Sequence, residues 1–261
     1  MSKKLLALIL LIGLVAVAAP AQKKKSKAPS KGAQYEYEKA VISMKYGLED
    51  ESVKYLNLAI ALDPKHADSY KLLGVIQFRK KNSAEAVAAF EKYLELKPAD
   101  SEALTNIGLA YDSLGRADKA EEEYKKAVAI DGNANACFGL GKLYLEQKKL
   151  PEAQDYAQRA VAGNAKSAAA LNLLGVVLNQ MRKYPEAAAN FENALRLTPD
   201  DLNLSINLGV AYINSQEFAK ARKIYEKVLP KIEDPALKEK IQGYLKLIDE
   251  RSEPSAPETK K

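Results

Sequence analysis

The sequence predicts an all-α solenoid of six helical hairpins in a row, closed at its C-terminal end by one further helix. Three observations carry this. Small residues recur at one phase, Ala40, Gly74, Gly108, Gly141, Gly175 and Gly209, with steps of 34, 34, 33, 34 and 34. A second small series, Ser52, Ala86, Ala120, Ala153, Ala187 and Ala221, keeps the same steps. Each unit also reads as two amphipathic helices. In the third, Leu104, Ile107, Gly108 and Tyr111 fall on one helix face, and Ala120, Tyr124 and Ala127 repeat the pattern after a turn at Gly115. Self-similarity at such a period marks stacked units that each bury an apolar face against the next.

Along the chain, the first element is an apolar run from Leu5 to Ala19 behind Lys3 and Lys4, ending in Ala19-Pro20-Ala21. These are the parts of a secretory signal peptide cut after Ala21, so export to the periplasm is the first expectation. An uncleaved anchor in the inner membrane is the alternative. Residues 5–21 lie at the short end of the ~17–25 residues needed to span a bilayer, and the lysines that follow would favour a cytoplasmic C-terminal side. No cysteine stands near the cut to carry a lipid. Residues 22–32, rich in Lys, Ser and Pro, read as a solvated basic linker.

The solenoid is then expected over residues 33–250, with repeats at about 33–66, 67–100, 101–133, 134–167, 168–201 and 202–234. A bulky series, Leu56, Phe90, Tyr124, Ala157, Phe191 and Tyr225, is expected to fill the space beside the small phase, because close helix contact needs that alternation. Pro64, Pro98 and Pro199 close units, Pro151 and Pro185 stand where second helices start, and Pro230 and Pro235 flank the end of the last hairpin. None falls in a helix interior, where each would cost about 3 kcal/mol. The fourth unit is one residue short, carries an extra Gly139 and has Ala157 at the bulky phase, so it is expected to be the softest joint. Leu237, Ile241, Tyr244, Leu245 and Ile248 make one apolar stripe after Asp234-Pro235, which predicts a capping helix over 235–250. Residues 251–261 read as a disordered tail.

Composition narrows function further. Hydrophobic residues at 47% and charged residues at 28% allow a buried core, so disorder is not the default. The net charge of +6 resides in the tails and leaves residues 33–250 at −2, which argues against a nucleic-acid partner. With one cysteine, Cys137, and one histidine, His66, no disulfide closes within the chain and no Cys/His metal site assembles. His66, in the turn Asp63-Pro64-Lys65-His66-Ala67, is expected on the surface, and Cys137 on the core face of a first helix. Glu121, Glu122 and Glu123 beside Lys125 and Lys126 read as a solvated face. No catalytic constellation, phosphate loop or cofactor motif is present, so neither an enzyme nor a cofactor is expected.

Leu140-Gly141-x-x-Tyr144, Leu208-Gly209-x-x-Tyr212, Ala86-x-x-x-Phe90 and Ala187-x-x-x-Phe191 resemble the tetratricopeptide repeat (TPR) family over residues 33–233. The resemblance implies a right-handed α-α superhelix whose concave wall is lined by first helices and holds a peptide or helix of a partner protein. It places in that groove Tyr37, Val41 and Met44 from unit one, Lys71, Val75 and Phe78 from unit two, and Thr105, Leu109 and Asp112 from unit three. Phe138, Lys142 and Leu145 follow from unit four, Asn172, Val176 and Asn179 from unit five, and Ile206, Val210 and Ile213 from unit six. Val41, Val75, Val176 and Val210 have packing between adjacent repeats as the alternative role. The family's dicarboxylate clamp is not reproduced: Lys71 and Asn106 fit it, while Val75, Asn135 and Gly139 do not. An apolar strand or one face of an amphipathic helix is the expected ligand. In size and repeat count the chain is similar to the pilotins of type IV pilus systems, which implies a scaffold in a bacterial envelope complex. A membrane-anchored co-chaperone or a subunit of an enzyme complex is the alternative.

Overall fold

The computed structural model describes residues 30–252. The export or anchor segment, the linker up to residue 29 and the tail from residue 253 lie outside the described residues. Six antiparallel hairpins follow one another: α1 (Lys31–Lys45) with α2 (Glu49–Leu62), α3 (Ala67–Arg79) with α4 (Ser83–Leu96), and α5 (Ser101–Ser113) with α6 (Ala117–Asp131). Then come α7 (Ala134–Glu146) with α8 (Leu150–Gly163), α9 (Ala168–Gln180) with α10 (Tyr184–Leu197), and α11 (Leu202–Asn214) with α12 (Phe218–Val228). A 3-10 turn, Leu229–Lys231, leads to α13 (Pro235–Ser252). The first helix begins at Lys31, inside the stretch expected to be linker, because Ser30 Oγ accepts the Ala33 N–H at 3.2 Å and caps it.

Side-chain caps mark the first helices of every unit but the second, where α3 starts from His66 without one. Asp100, Asn133, Ser167 and Asp201 cap α5, α7, α9 and α11. Second helices start instead from a tight turn in which one residue adopts left-handed backbone. That position is Gly47, Lys81, Gly115, Lys148, Arg182 and Gln216, with φ of 75°, 63°, 69°, 59°, 62° and 64°. Four of the six are not glycine, and left-handed backbone costs an L-residue about 1–2 kcal/mol. Lys148→Gly and Arg182→Gly are therefore expected to stabilise the fold by about 0.5–1 kcal/mol each, the relief less the entropy that glycine adds to the unfolded chain. Urea unfolding of each variant checks this.

The core follows the predicted alternation. An alanine Cβ built at Gly74 would stand 2.8 Å from the Phe90 ring, one at Gly108 2.5 Å from Tyr124, and one at Gly175 2.6 Å from Phe191; Tyr225 occupies the same place beneath Gly209. These four aromatic side chains are buried, at 0 to 1% exposure.

The fourth hairpin departs from expectation. Its missing residue lies in the connection before it, where Gly132 and Asn133 replace the four-residue links seen elsewhere and Gly132 closes α6 in left-handed backbone at φ 70°. The joint is not hollow. A Cβ at Gly141 would meet the Ala157 amide nitrogen at 3.2 Å, the Ala153 carbonyl at 3.5 Å and Leu173 Cδ2 at 3.1 Å, so α7 and α8 pack backbone against backbone. Gly139 is filled from the other side: a Cβ there would stand 2.5 Å from Tyr124 Cζ. The residues expected to loosen this joint let neighbouring units approach it.

Candidate partner-binding groove

From α3 onward each first helix also touches the first helix of the next unit, while no second helix makes comparable contact with the next second helix. The row of first helices is thus the shorter, inner row, and the stack curves around it. The expected groove residues belong to this wall, but it does not present them equally. Val75, Phe78, Leu109, Phe138, Leu145 and Val176 are half-buried and lean on the main core. Tyr37, Met44 and Val210 are half-buried, and Val41 is 42% exposed rather than packed between repeats. Three positions are corrected by the structure. Ile206 and Ile213 sit at 8% and 6% exposure within the main apolar core. Thr105, at 3%, turns its hydroxyl back to donate to the Ser101 carbonyl at 2.7 Å.

The polar members of the wall are already engaged between units. Lys71 Nζ donates to Asp100 at 3.1 Å and to Glu102 at 2.5 Å. Lys142 reaches back to Asp112 at 2.9 Å. Asn207 donates its amide to Asn172 at 3.0 Å, and Asn214 to Asn179 at 3.1 Å. Each is a rung between consecutive first helices, a role that a motif confined to one unit does not reveal.

Asp100 is the most connected of these groups. It caps α5 through the Ala103 N–H at 3.0 Å and also accepts from Tyr93 Oη at 2.5 Å and Lys71. Burial alone would raise its pKa, but hydrogen bonds from Tyr93, Ala103 and Lys71 together hold it below the ordinary aspartate value. Burial followed by the same Asp100 bond pushes Tyr93 up to about 12. For Lys71, burial works downward and is outweighed by the bonds to Glu102 and Asp100, so it stays charged. A depressed folded-state pKa stabilises above the unfolded value and is lost as pH falls through the folded one. Asp100→Asn is thus expected to flatten the fall in stability below pH ~4 and to leave its shape near neutrality unchanged, as read by urea unfolding at a series of pH values.

Two further residues were placed from sequence. His66 is not a surface residue: at 3% exposure it joins the first two units, with Nδ1 2.8 Å from Ser69 Oγ, Nε2 3.2 Å from Gln34 Oε1 and its ring 5.2 Å from that of Tyr37. It occupies the phase at which the following units have Asp100, Asn133, Ser167 and Asp201. Cys137 is buried beside Ala160 and Ala170, as expected, and burial pushes its thiol pKa up, away from nucleophilic character. Among the described residues no group of His, Cys, Asp or Glu is placed to hold a metal ion.

A family model, that of the tetratricopeptide repeat protein 21 C-terminal ARM domain, matches residues 64–242. The chain belongs to this tetratricopeptide repeat family. Among curated TPR relatives, the type IV pilus assembly protein PilF of Pseudomonas aeruginosa is 27% identical over 162 residues, 61% of this chain and 64% of that protein. The human protein O-mannosyl-transferase TMTC3 is 28% identical over 177 residues, 66% of this chain and 19% of that protein. The chain thus spans less than two thirds of either. Among solved structures, Pseudomonas aeruginosa PilF superimposes with a TM-score of 0.62 at 25% identity, covering 71% of this chain and 86% of that one. MamA gives 0.54 at 28% identity, covering 64% and 96%.

Proposed function

We propose that this TPR protein is a non-catalytic scaffold whose inner wall holds a segment of a partner protein, in the assembly of a bacterial envelope complex. The observation that carries the reading is the composition of the wall. Val75, Phe78, Leu109, Phe138, Leu145 and Val176 offer half-buried apolar surface along consecutive first helices, while Lys71, Lys142, Asn172 and Asn179 are tied to neighbouring units. A ligand bearing a row of apolar side chains suits such a wall, as an extended strand or as one face of a helix. The envelope assignment draws support from the apolar run at residues 5–19 and from the likeness to a pilus assembly protein.

Val75→Glu with Phe78→Glu, in the full chain tagged at its C-terminus, tests the groove. Capture of the natural partner is expected to fall about 100-fold or more, because two carboxylates would have to be desolvated without partners, while helicity by circular dichroism persists. Undiminished capture by a folded double variant would place the partner elsewhere on the molecule.

A further inference from the structure

An open cavity of about 330 Å³ lies between the second helices α10 and α12, with α11 as its floor. Leu195, Pro199, Leu208, Ile224 and Val228 line it, and no aromatic ring does. Leu208 and Val228 are buried, and Leu195 and Ile224 are half-buried. The repeat explains why the space is there. Ser205, on the floor, stands at the position held by Tyr70, Leu104, Cys137 and Leu171 in the four preceding units. At Leu104 and Leu171 an isobutyl group occupies that position, and beside Cys137 the Tyr156 side chain packs. At the last joint the counterpart of Tyr156 is Ile224, so neither residue makes up the volume. The Ser205 hydroxyl donates to the Asp201 carbonyl at 2.9 Å and makes no demand on a ligand. At the rim Arg196 and Lys227 are exposed, and among the described residues neither forms an ion pair. The carboxylates nearby are engaged: Asp200 by Lys231 at 2.8 Å, Glu226 by Arg222 at 3.8 Å, and Glu192, the one acid of the rim, by Tyr212 Oη.

We propose that this cavity binds an aliphatic monocarboxylate, a fatty acid of medium length, at a site separate from the partner-binding groove. The lining sets the chemistry. Leucine, isoleucine, valine and proline suit a hydrocarbon chain, and two cations at the mouth, one of them giving a single N–H to Asn193, suit one carboxylate. The volume is room for about ten waters, at the lower end of the range for small-molecule sites, which fits one chain. The joint between the second and third units lacks this pairing. There Glu95 and Lys126 hold the places of Arg196 and Lys227, and both are already paired, Glu95 with Lys92 and Lys126 with Glu122 and Glu123. A peptide ending in an apolar residue fits less well. Its main-chain N–H groups would need acceptors, and the lining offers only Ser205 and Glu192, both engaged. The inner-wall residues Ile206, Val210 and Ile213 do not line the cavity, so a ligand here leaves the groove open.

The test is isothermal titration calorimetry on the full chain with hexanoate, octanoate and decanoate. Affinity is expected to rise about fourfold per methylene until the cavity is full. Decanol, with the same chain and no charge, should bind about tenfold more weakly than decanoate. Arg196→Gln with Lys227→Gln should weaken decanoate by about the same factor and leave decanol unchanged. Ser205→Leu, which restores the residue found at Leu104 and Leu171, should abolish binding of both while helicity by circular dichroism persists. Binding that survives Ser205→Leu in a helical variant lies elsewhere, on the inner wall or on residues 5–19, and overturns the proposal. So does an absence of decanoate binding, an equal affinity for decanol, or tighter binding of a short peptide ending in a leucine carboxylate. Where Ser205→Leu does not fold, the exposed Arg196 and Lys227 pair decides the matter: an unchanged affinity for decanoate in their double variant overturns the proposal.

Discussion

Gly139→Ala is expected to destabilise the protein by about 1–3 kcal/mol, the range for overpacking a filled core. The new Cβ would stand 2.5 Å from Tyr124 Cζ, and the ring cannot retreat, because a Cβ at Gly108 on its other side would also lie 2.5 Å away. Tyr124 is 0% exposed and is held between glycines of two units. Gly139→Ala should therefore act on the joint between the third and fourth hairpins and not on one helix alone. In a stack whose stability sums unit and interface terms, weakening one joint is expected to broaden urea unfolding or split it in two. Tyr124→Leu should relieve the clash, giving a coupling of about 0.5–3 kcal/mol in a double-mutant cycle. Additive effects of the two changes would show that the ring does not occupy the Gly139 slot.

Ile241→Asp is expected to cost about 3–5 kcal/mol, or to detach α13 if docking of the helix contributes less than that. Ile241 is 0% exposed, and α13 covers Tyr225 with Tyr244 stacked on it at 5.4 Å and 20°. Arg222 and Asp249 pair at the rim, but an exposed ion pair holds a helix weakly, so the apolar stripe must carry the attachment. Amide exchange reports the outcome: residues 235–252 should lose protection, and α11 and α12 should follow as Tyr225 loses its cover. Unchanged protection would mean that α13 is not the closing element.

Much of this architecture was legible because it repeats. The two small-residue series recur once per unit and the bulky series is aromatic in four of the six, so errors at one unit are corrected by the others. What the sequence hid lies between units. Gly139 looked like a flaw inside α7 because its occupant, Tyr124, belongs to the preceding hairpin. The polar groove residues looked available to a ligand because their partners, such as Asn207 for Asn172 and Asn214 for Asn179, lie 35 residues on, and that pairing depends on how the superhelix turns. His66 looked like a loop residue by local composition. Its spacing of 34 residues from the cap Asp100 was the signal for its buried, structural place. Thr105, Ile206 and Ile213 show the limit of carrying one family register along every unit, since local packing decides which side of a first helix stays open.

The central claim is that the inner wall, and not the outer one, receives the partner. Site-specific photo-crosslinking in cells tests it most directly, with the reactive side chain placed at Leu109 or Val176 on first helices and at Lys92 or Asn193 on exposed faces of second helices. The account predicts that Leu109 and Val176 give adducts with one and the same protein and that Lys92 and Asn193 give none. Adducts from the second-helix positions alone would contradict it.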